Sequence, residues 1–271
     1  MKKSLLLVLL IVSIDVSAQI DKNLVPTEFD GSIQMSDELK GAYMEYSFYA
    51  ASLKVDSLIE KGMYMSALET TDSLLIIWKN NTKKQPPIDL YMSKCKVLSY
   101  LEEWNDLIET TKECLTFYNN ETKLYTSVLY SMQGFAYRSV KDYNNAVRAY
   151  EASMSYSKND IGNEANMLCN MAYCYESIGK STLAGTLYNK GFNKYLEYFK
   201  ISRTDLLKNK VSVTSSFKET ALGVFGCHLY NMAVFEQNYG TKVLSKEYLL
   251  MSANCGNEEA QSEYDRIYGG Y

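Results

Sequence analysis

Six cysteines, one histidine and a run that ends like a phosphate-binding loop are the residues of this chain with the most evident chemical reach. Cys95, Cys114, Cys169, Cys174, Cys227 and Cys255 could ligate a metal, form disulfides or act as nucleophiles when ionised. His228 is the single histidine. That rules out most His-based zinc sites and paired-His chemistry, and a nucleophile–His arrangement could use only this residue. Cys169 and Cys174, five apart on one helix, point to different sides and suggest neither a bond nor a metal pair. Cys95 and Cys114 fall where two helices approach closely and read as small apolar packing residues. "CYESIGKS", residues 174–181, has Cys174 where a phosphate loop needs its first glycine, and a helix rather than a strand precedes it. The carboxylates of "LEEWND" and "GNEEA" read as solvated helix faces or turns. No catalytic, metal or cofactor site is expected, and the chain is read as a non-enzyme.

The elements that must carry these residues announce themselves by repetition. "LCNMAYCYESIG", residues 168–179, and "LYNMAVFEQNYG", residues 229–240, share Leu, Asn, Met, Ala and a closing Gly at the same offsets. Within "YSMQGFAYRSVKDYNNAVRAYEAS", residues 130–153, Gly134, Tyr137, Tyr143, Ala146, Tyr150 and Ser153 recur at steps that put small and apolar residues on one face of each of two helices. The break between them lies at Lys141-Asp142. Leu168, Ala172, Tyr175, Gly179, Ala184, Tyr188 and Gly191 keep the frame downstream; Tyr91, Cys95, Leu98, Trp104, Leu107 and Cys114 keep it upstream. Ala51, Val55, Leu58, Gly62, Tyr64, Ala67 and Leu74 form the earliest copy. Small residues fall where helices must approach, and large aromatics where a gap must be filled.

Gly134, Tyr137, Ala146 and Tyr150 resemble the tetratricopeptide repeat, with its small residue at the eighth position, Tyr at the eleventh, Ala at the twentieth and an aromatic at the twenty-fourth. The second copy departs most, with Leu107 for Ala and Thr111 for the aromatic. The resemblance implies an all-α fold: a right-handed superhelical α-solenoid of about five helical hairpins, each unable to bury its apolar face alone. Both Leu-x-Asn-Met-Ala phrases would be first helices of hairpins, each ended or bent by its glycine. Their spacing exceeds one repeat by about one short helix and a connector, placed at residues 195–216 with the helix starting at Thr204-Asp205.

The N-terminus reads as an address. Two lysines, the apolar run "SLLLVLLIVSI" and small residues at Ser17-Ala18 form a signal-peptide pattern, with cleavage expected before Gln19. The run is short for a membrane span and Asp15 interrupts it. No cysteine precedes Cys95, so a lipid anchor has no thiol to use. The mature chain is therefore expected to be periplasmic or secreted, without an integral membrane segment. A net charge of −4 argues against a nucleic-acid partner. Three prolines leave long helices unbroken. The expected organisation is a signal peptide at 1–18, a partly irregular segment at 19–44, four hairpins at 45–192, an extended helix and connector at 193–216, and a last hairpin with a capping helix at 217–271.

The last hairpin has its own flavour. Tyr248, Ser252, Ala253, Gly256 and Ala260 resemble the end of a Sel1-like repeat, with Ser245 where Ala is expected. Cys227 lies near the start of its first helix and Cys255 just past its second, and these ends are neighbours in an antiparallel hairpin. Cysteine-rich Sel1-like proteins carry bridges at comparable places, so the resemblance implies a Cys227–Cys255 disulfide; the alternative is two buried free thiols.

In tetratricopeptide arrays the first helices line a concave groove. Transferred through the frame, that implies partner-binding positions at Tyr49, Ser52, Asp56 and Glu60, then Asp89, Met92, Lys96 and Tyr100. Val128, Ser131, Phe135 and Arg138 follow, and then Asn166, Cys169, Tyr173 and Glu176. Tyr100, Phe135 and Tyr173 would make an aromatic strip flanked by Lys96 and Arg138, suited to a peptide with an apolar side chain and a carboxylate. The same aromatics could instead pack against neighbouring repeats. The resemblance implies a non-enzymatic scaffold that binds a protein or peptide in the bacterial cell envelope. The alternatives are a Sel1-like envelope enzyme or binder of cell-wall fragments, and a spacer that associates with copies of itself.

Overall fold

The turn inside each of the first four hairpins is built alike, and the turns set the frame. Gly62, Glu102, Lys141 and Gly179 all have left-handed backbone, with φ of 71°, 59°, 64° and 78°. The next residue's N–H reaches back five residues in every case: Met63 to Leu58, Glu103 to Leu98, Asp142 to Tyr137 and Lys180 to Tyr175. This is the Schellman closure, which satisfies carbonyls that a helix end would otherwise leave bare. Two of the four turns use glycine, which adopts this conformation freely; Glu102 and Lys141 do so at a steric cost of about 1–2 kcal/mol each.

A computed structural model describes residues 48, 51, 53–81, 85–117, 123–213 and 215–269. The signal-peptide pattern and the 19–44 segment lie outside the described residues. The described residues are helical, with no strand among them. Helix α1 covers 53–60, and α2 Tyr64–Asn81 follows. The second hairpin is α3 Ile88–Tyr100 and α4 Trp104–Phe117, and the third α5 Lys123–Ser139 and α6 Tyr143–Tyr156. The fourth is α7 Ile161–Ser177 and α8 Ser181–Phe199. A short helix, α9 Arg203–Lys208, precedes the last pair, α10 Ser216–Tyr239 and α11 Lys242–Asn254, and α12 Glu258–Tyr268 closes the array. Six of these helices begin on a side-chain cap, supplied by Asp142, Asp160, Ser202, Ser215, Thr241 and Asn257.

Both repeated phrases lie in first helices, α7 and α10. Close approach inside the hairpins depends on small residues. A Cβ on Gly134 would stand 2.6 Å from the Tyr150 ring, so α5 and α6 meet only because that position is empty. Gly191 plays the same part between α7 and α8, where the Cys169 sulfur takes the space. At the departures of the second hairpin, Leu107 and Thr111 are fully buried, and the Thr111 hydroxyl donates back to the Ile108 carbonyl.

The buried apolar side chains form two clusters. One runs from Phe48 to Ala136 and the other from Ala146 to Ala260. Their boundary falls inside the third hairpin, between α5 and α6, and Tyr137 packs against both. The second cluster is rich in aromatics, with Tyr188, Phe192, Tyr195, Phe199, Phe225 and Tyr248 all buried.

The inserted stretch before α10 forms a strap on the last hairpin. Its helix starts at Arg203, one residue before the Thr204 the sequence suggested, and Ser202 caps it in a capping box with Asp205. Leu206 is fully buried, the Asn254 amide donates to the Leu206 carbonyl at 2.6 Å, and the Val211 N–H donates to the Asn254 carbonyl at 2.9 Å. Arg203 pairs with Glu247 and lies over the Phe192 and Tyr248 rings. The strap thereby ties α11 to α8. In the last hairpin, Ser245, Tyr248, Ser252, Ala253 and Ala260 are buried and Gly256 is left-handed at φ 91°.

Candidate functional site

First helices from four hairpins converge on one cavity of about 460 Å³. Its wall takes Ser99 from α3, Ser131, Phe135 and Arg138 from α5, Asn166 and Asn170 from α7, and Val224, His228 and Asn231 from α10. Tyr150 and Leu107 reach it from second helices.

A polar relay crosses this wall. Arg138 donates to the Asn170 side-chain oxygen. The Asn170 amide donates to the Asn166 Oδ1 at 2.9 Å and to the Asn166 backbone carbonyl at 3.0 Å. His228 Nε2 stands 2.9 Å from the same Asn166 Oδ1, which fixes Nε2 as the donor of that ring. Three consecutive first helices, α5, α7 and α10, are thus joined by side chains along their shared face. Burial and the nearby Arg138 charge hold His228 neutral, with its pKa pushed down to about 3. Two buried polar atoms on the cavity residues, the Tyr150 hydroxyl and His228 Nδ1, have no hydrogen-bond partner among the described residues.

Arg138 is also gripped from both sides. Its guanidinium carbon is 4.8 Å from the Phe135 ring centroid and 5.3 Å from that of Tyr173. No carboxylate of the described residues pairs with it.

Of the positions transferred from the sequence, Ser131, Phe135, Arg138 and Asn166 meet at the cavity. Tyr173 borders it through Arg138. Tyr100, Phe135 and Tyr173 keep 52%, 36% and 37% of their surface exposed, yet two of them also lean on the preceding repeat. Tyr100 stacks on Tyr64 at 4.7 Å, and Phe135 meets Trp104 edge-on at 5.3 Å. Each side chain is therefore both a repeat-to-repeat contact and an exposed surface. Asp56, Glu60, Asp89 and Lys96 are exposed and stand away from the cavity wall. Glu176 is half-buried and accepts from the Tyr188 hydroxyl at 3.2 Å, which turns it toward α8. Tyr49 and Ser52 lie outside the described residues.

Cys169 is a correction: it is fully buried against Gly191 and does not face the groove. Burial pushes the Cys95, Cys114 and Cys255 thiols up to about 12, so they stay protonated and inert. Cys227 and Cys255 are both free thiols in this structure. Cys255 packs beside Gly226, its Cβ 3.3 Å from the point a Cβ there would occupy, while the next residue, Cys227, turns to the cavity. Ser99, Met132, Asn170, Val224, His228 and Asn231 are wall residues that sequence reasoning did not assign to the groove. The asparagine repeated in both phrases was the signal for two of them.

No family model and no curated protein matches the chain. Solved structures do. The crystal structure of a Podosopora anserina putative kinesin light chain with nearly identical TPR-like repeats aligns with a TM-score of 0.55 at 10% identity, covering 78% of this chain and 95% of that one. The MamA RS-1 ArsTM double mutant aligns with a TM-score of 0.52 at 12% identity, covering 83% and 98%. The chain has a tetratricopeptide-type fold. Low identity confines the likeness to architecture, and in that architecture the cavity occupies the face shared by the first helices of the solenoid.

Proposed function

We propose that the protein is a non-enzymatic interaction scaffold that holds an extended segment of a partner protein in the groove of its solenoid. The observation that carries this reading is the convergence of α3, α5, α7 and α10 on one cavity beside half-exposed aromatics. Rings that stay exposed while their edges are fixed by packing are pre-organised binding anchors. The similar solved structures support a scaffold role by architecture alone. The described residues hold no cluster of metal-ligating groups. Their one histidine is engaged with Asn166. The N-terminal apolar run supports export and a place in the bacterial envelope. The buried Ser245, Tyr248, Ser252, Ala253 and Ala260 support a Sel1-like last hairpin.

The test compares partners retained from an envelope extract by the wild-type chain and by a Tyr100→Ala, Phe135→Ala double variant with unchanged helical circular dichroism. A partner held by the first and lost by the second is the expected result. Equal retention by both would remove the groove from consideration.

A further inference from the structure

The groove contains a cation with no counter-charge among the described residues. Arg138 spends one N–H on Asn170, is clamped between two rings, and meets no carboxylate among the described residues. A guanidinium has five donors in a fixed fork, so the rest of the fork remains for a ligand. Its aim is set by the relay: Asn170 is held by Asn166, and Asn166 by His228. A group positioned this firmly and left unpaired matches an anion, above all a carboxylate that can accept two parallel N–H bonds.

Two further groups on the wall narrow the chemistry. Tyr150 is 1% exposed and its hydroxyl has no partner among the described residues. Burial opposes its ionisation, so it remains an O–H donor. His228, 5% exposed, keeps its proton on Nε2 and donates that N–H to Asn166 Oδ1, which leaves Nδ1 an acceptor. A bare anion would answer only the donors. A peptide answers both kinds, with a carboxylate for Arg138 and Tyr150 and a backbone N–H for His228. Leu107, Met132 and Val224 supply apolar wall around them.

We infer that the cavity receives an aspartate or glutamate side chain carried within an extended segment of a partner protein, flanked by apolar residues. This rests on the groove reading above. An internal acid fits better than a chain end because the aromatic surface continues past the cavity to Tyr100 and Tyr64, so a segment runs on rather than stopping.

Three capped probes test this on the full, isotope-labelled chain by nuclear magnetic resonance. They are acetyl-Ala-Leu-Glu-Leu-Ala-amide, its Gln counterpart, and the Gln peptide with a free terminal carboxylate. The Glu peptide should bind about tenfold tighter than the Gln amide and move the Arg138 Nε–H resonance. Arg138→Met should erase that difference while leaving the circular dichroism unchanged. Equal affinity for the Glu and Gln amides overturns the inference, as does the absence of saturation by any probe. A stronger response to the free terminus overturns the internal placement. In the extract experiment, a partner lost by the Tyr100→Ala, Phe135→Ala chain but kept by Arg138→Met would leave the groove standing and remove the acid site. A partner kept by both would remove the two readings together.

Discussion

Leu168–Gly179 and Leu229–Gly240 share five residues and meet different surroundings. Their apolar members behave alike: Leu168 and Leu229, Met171 and Met232, Ala172 and Ala233 are all buried. Their polar and glycine members do not. Asn170 and Asn231 both line the cavity wall, but Asn170 is buried and held by Arg138 and Asn166, whereas Asn231 is half-buried. Gly179 is left-handed at φ 78° and closes a Schellman turn. Gly240 has φ −121°, and there the Glu236 carboxylate accepts the Thr241 N–H at 3.1 Å instead. A repeated phrase therefore fixes packing through its apolar residues, while neighbours decide what its other residues do.

The largest break in this comparison should come from the buried leucines. Leu229 has no exposed surface and Leu168 keeps 8%. Leu229→Ala should cost about 3–5 kcal/mol and Leu168→Ala about 2–3 kcal/mol in urea unfolding, because the more enclosed site leaves the larger cavity. Equal costs would mean that the two helices bury their phrases to the same depth.

Next comes acid. His228 stands where the first phrase has Met167. Its folded value of about 3 lies below the ordinary 6.5, so the unfolded chain takes up the extra proton first. The stability it contributes is complete above pH 6.5 and is lost as pH falls toward 3, by about 1.4 kcal/mol per pH unit. His228→Met should remove that part of the acid sensitivity between pH 6 and 4 (about 2–3 kcal/mol). An unchanged pH slope in the variant would show that the ring is not held neutral by the fold.

The smallest difference concerns the closing glycines. Gly179→Ala should cost about 1–2 kcal/mol for the left-handed backbone. Gly240→Ala should cost less, about 1 kcal/mol: its φ is negative, and a Cβ there would displace the Glu236 carboxylate from the Thr241 N–H while standing 3.2 Å from the Glu236 backbone. A reversed order in thermal melts would contradict the two turn geometries.

The hairpin frame was legible because small and aromatic residues must recur where helices touch, as Gly134 and Tyr150 do. Other features depend on partners that periodicity does not reveal. Glu102 and Lys141 adopt left-handed turns without the glycine that would advertise them. Cys169 occupies a position that the transferred frame assigned to the groove, but the emptiness of Gly191 draws it inward. Phe135, Arg138 and Asn166 could be placed by register, whereas the relay to His228 joins residues 62 apart across two hairpins and leaves no local pattern. The relation of Cys255 to Cys227 turned on one residue of helical phase, which brought Gly226 to the contact.

Tyr137, which belongs to both apolar clusters, gives the third hairpin a role beyond spacing. Cooperative melting that travels from one half of the array to the other is expected to draw on that ring, beside the Gly134–Tyr150 and Arg138–Asn170 contacts. Residues on its two sides should therefore keep separate clocks: amides of α2–α4 and of α7–α11 should exchange with deuterium in two classes, and trimming Tyr137 to alanine should drive those clocks further apart.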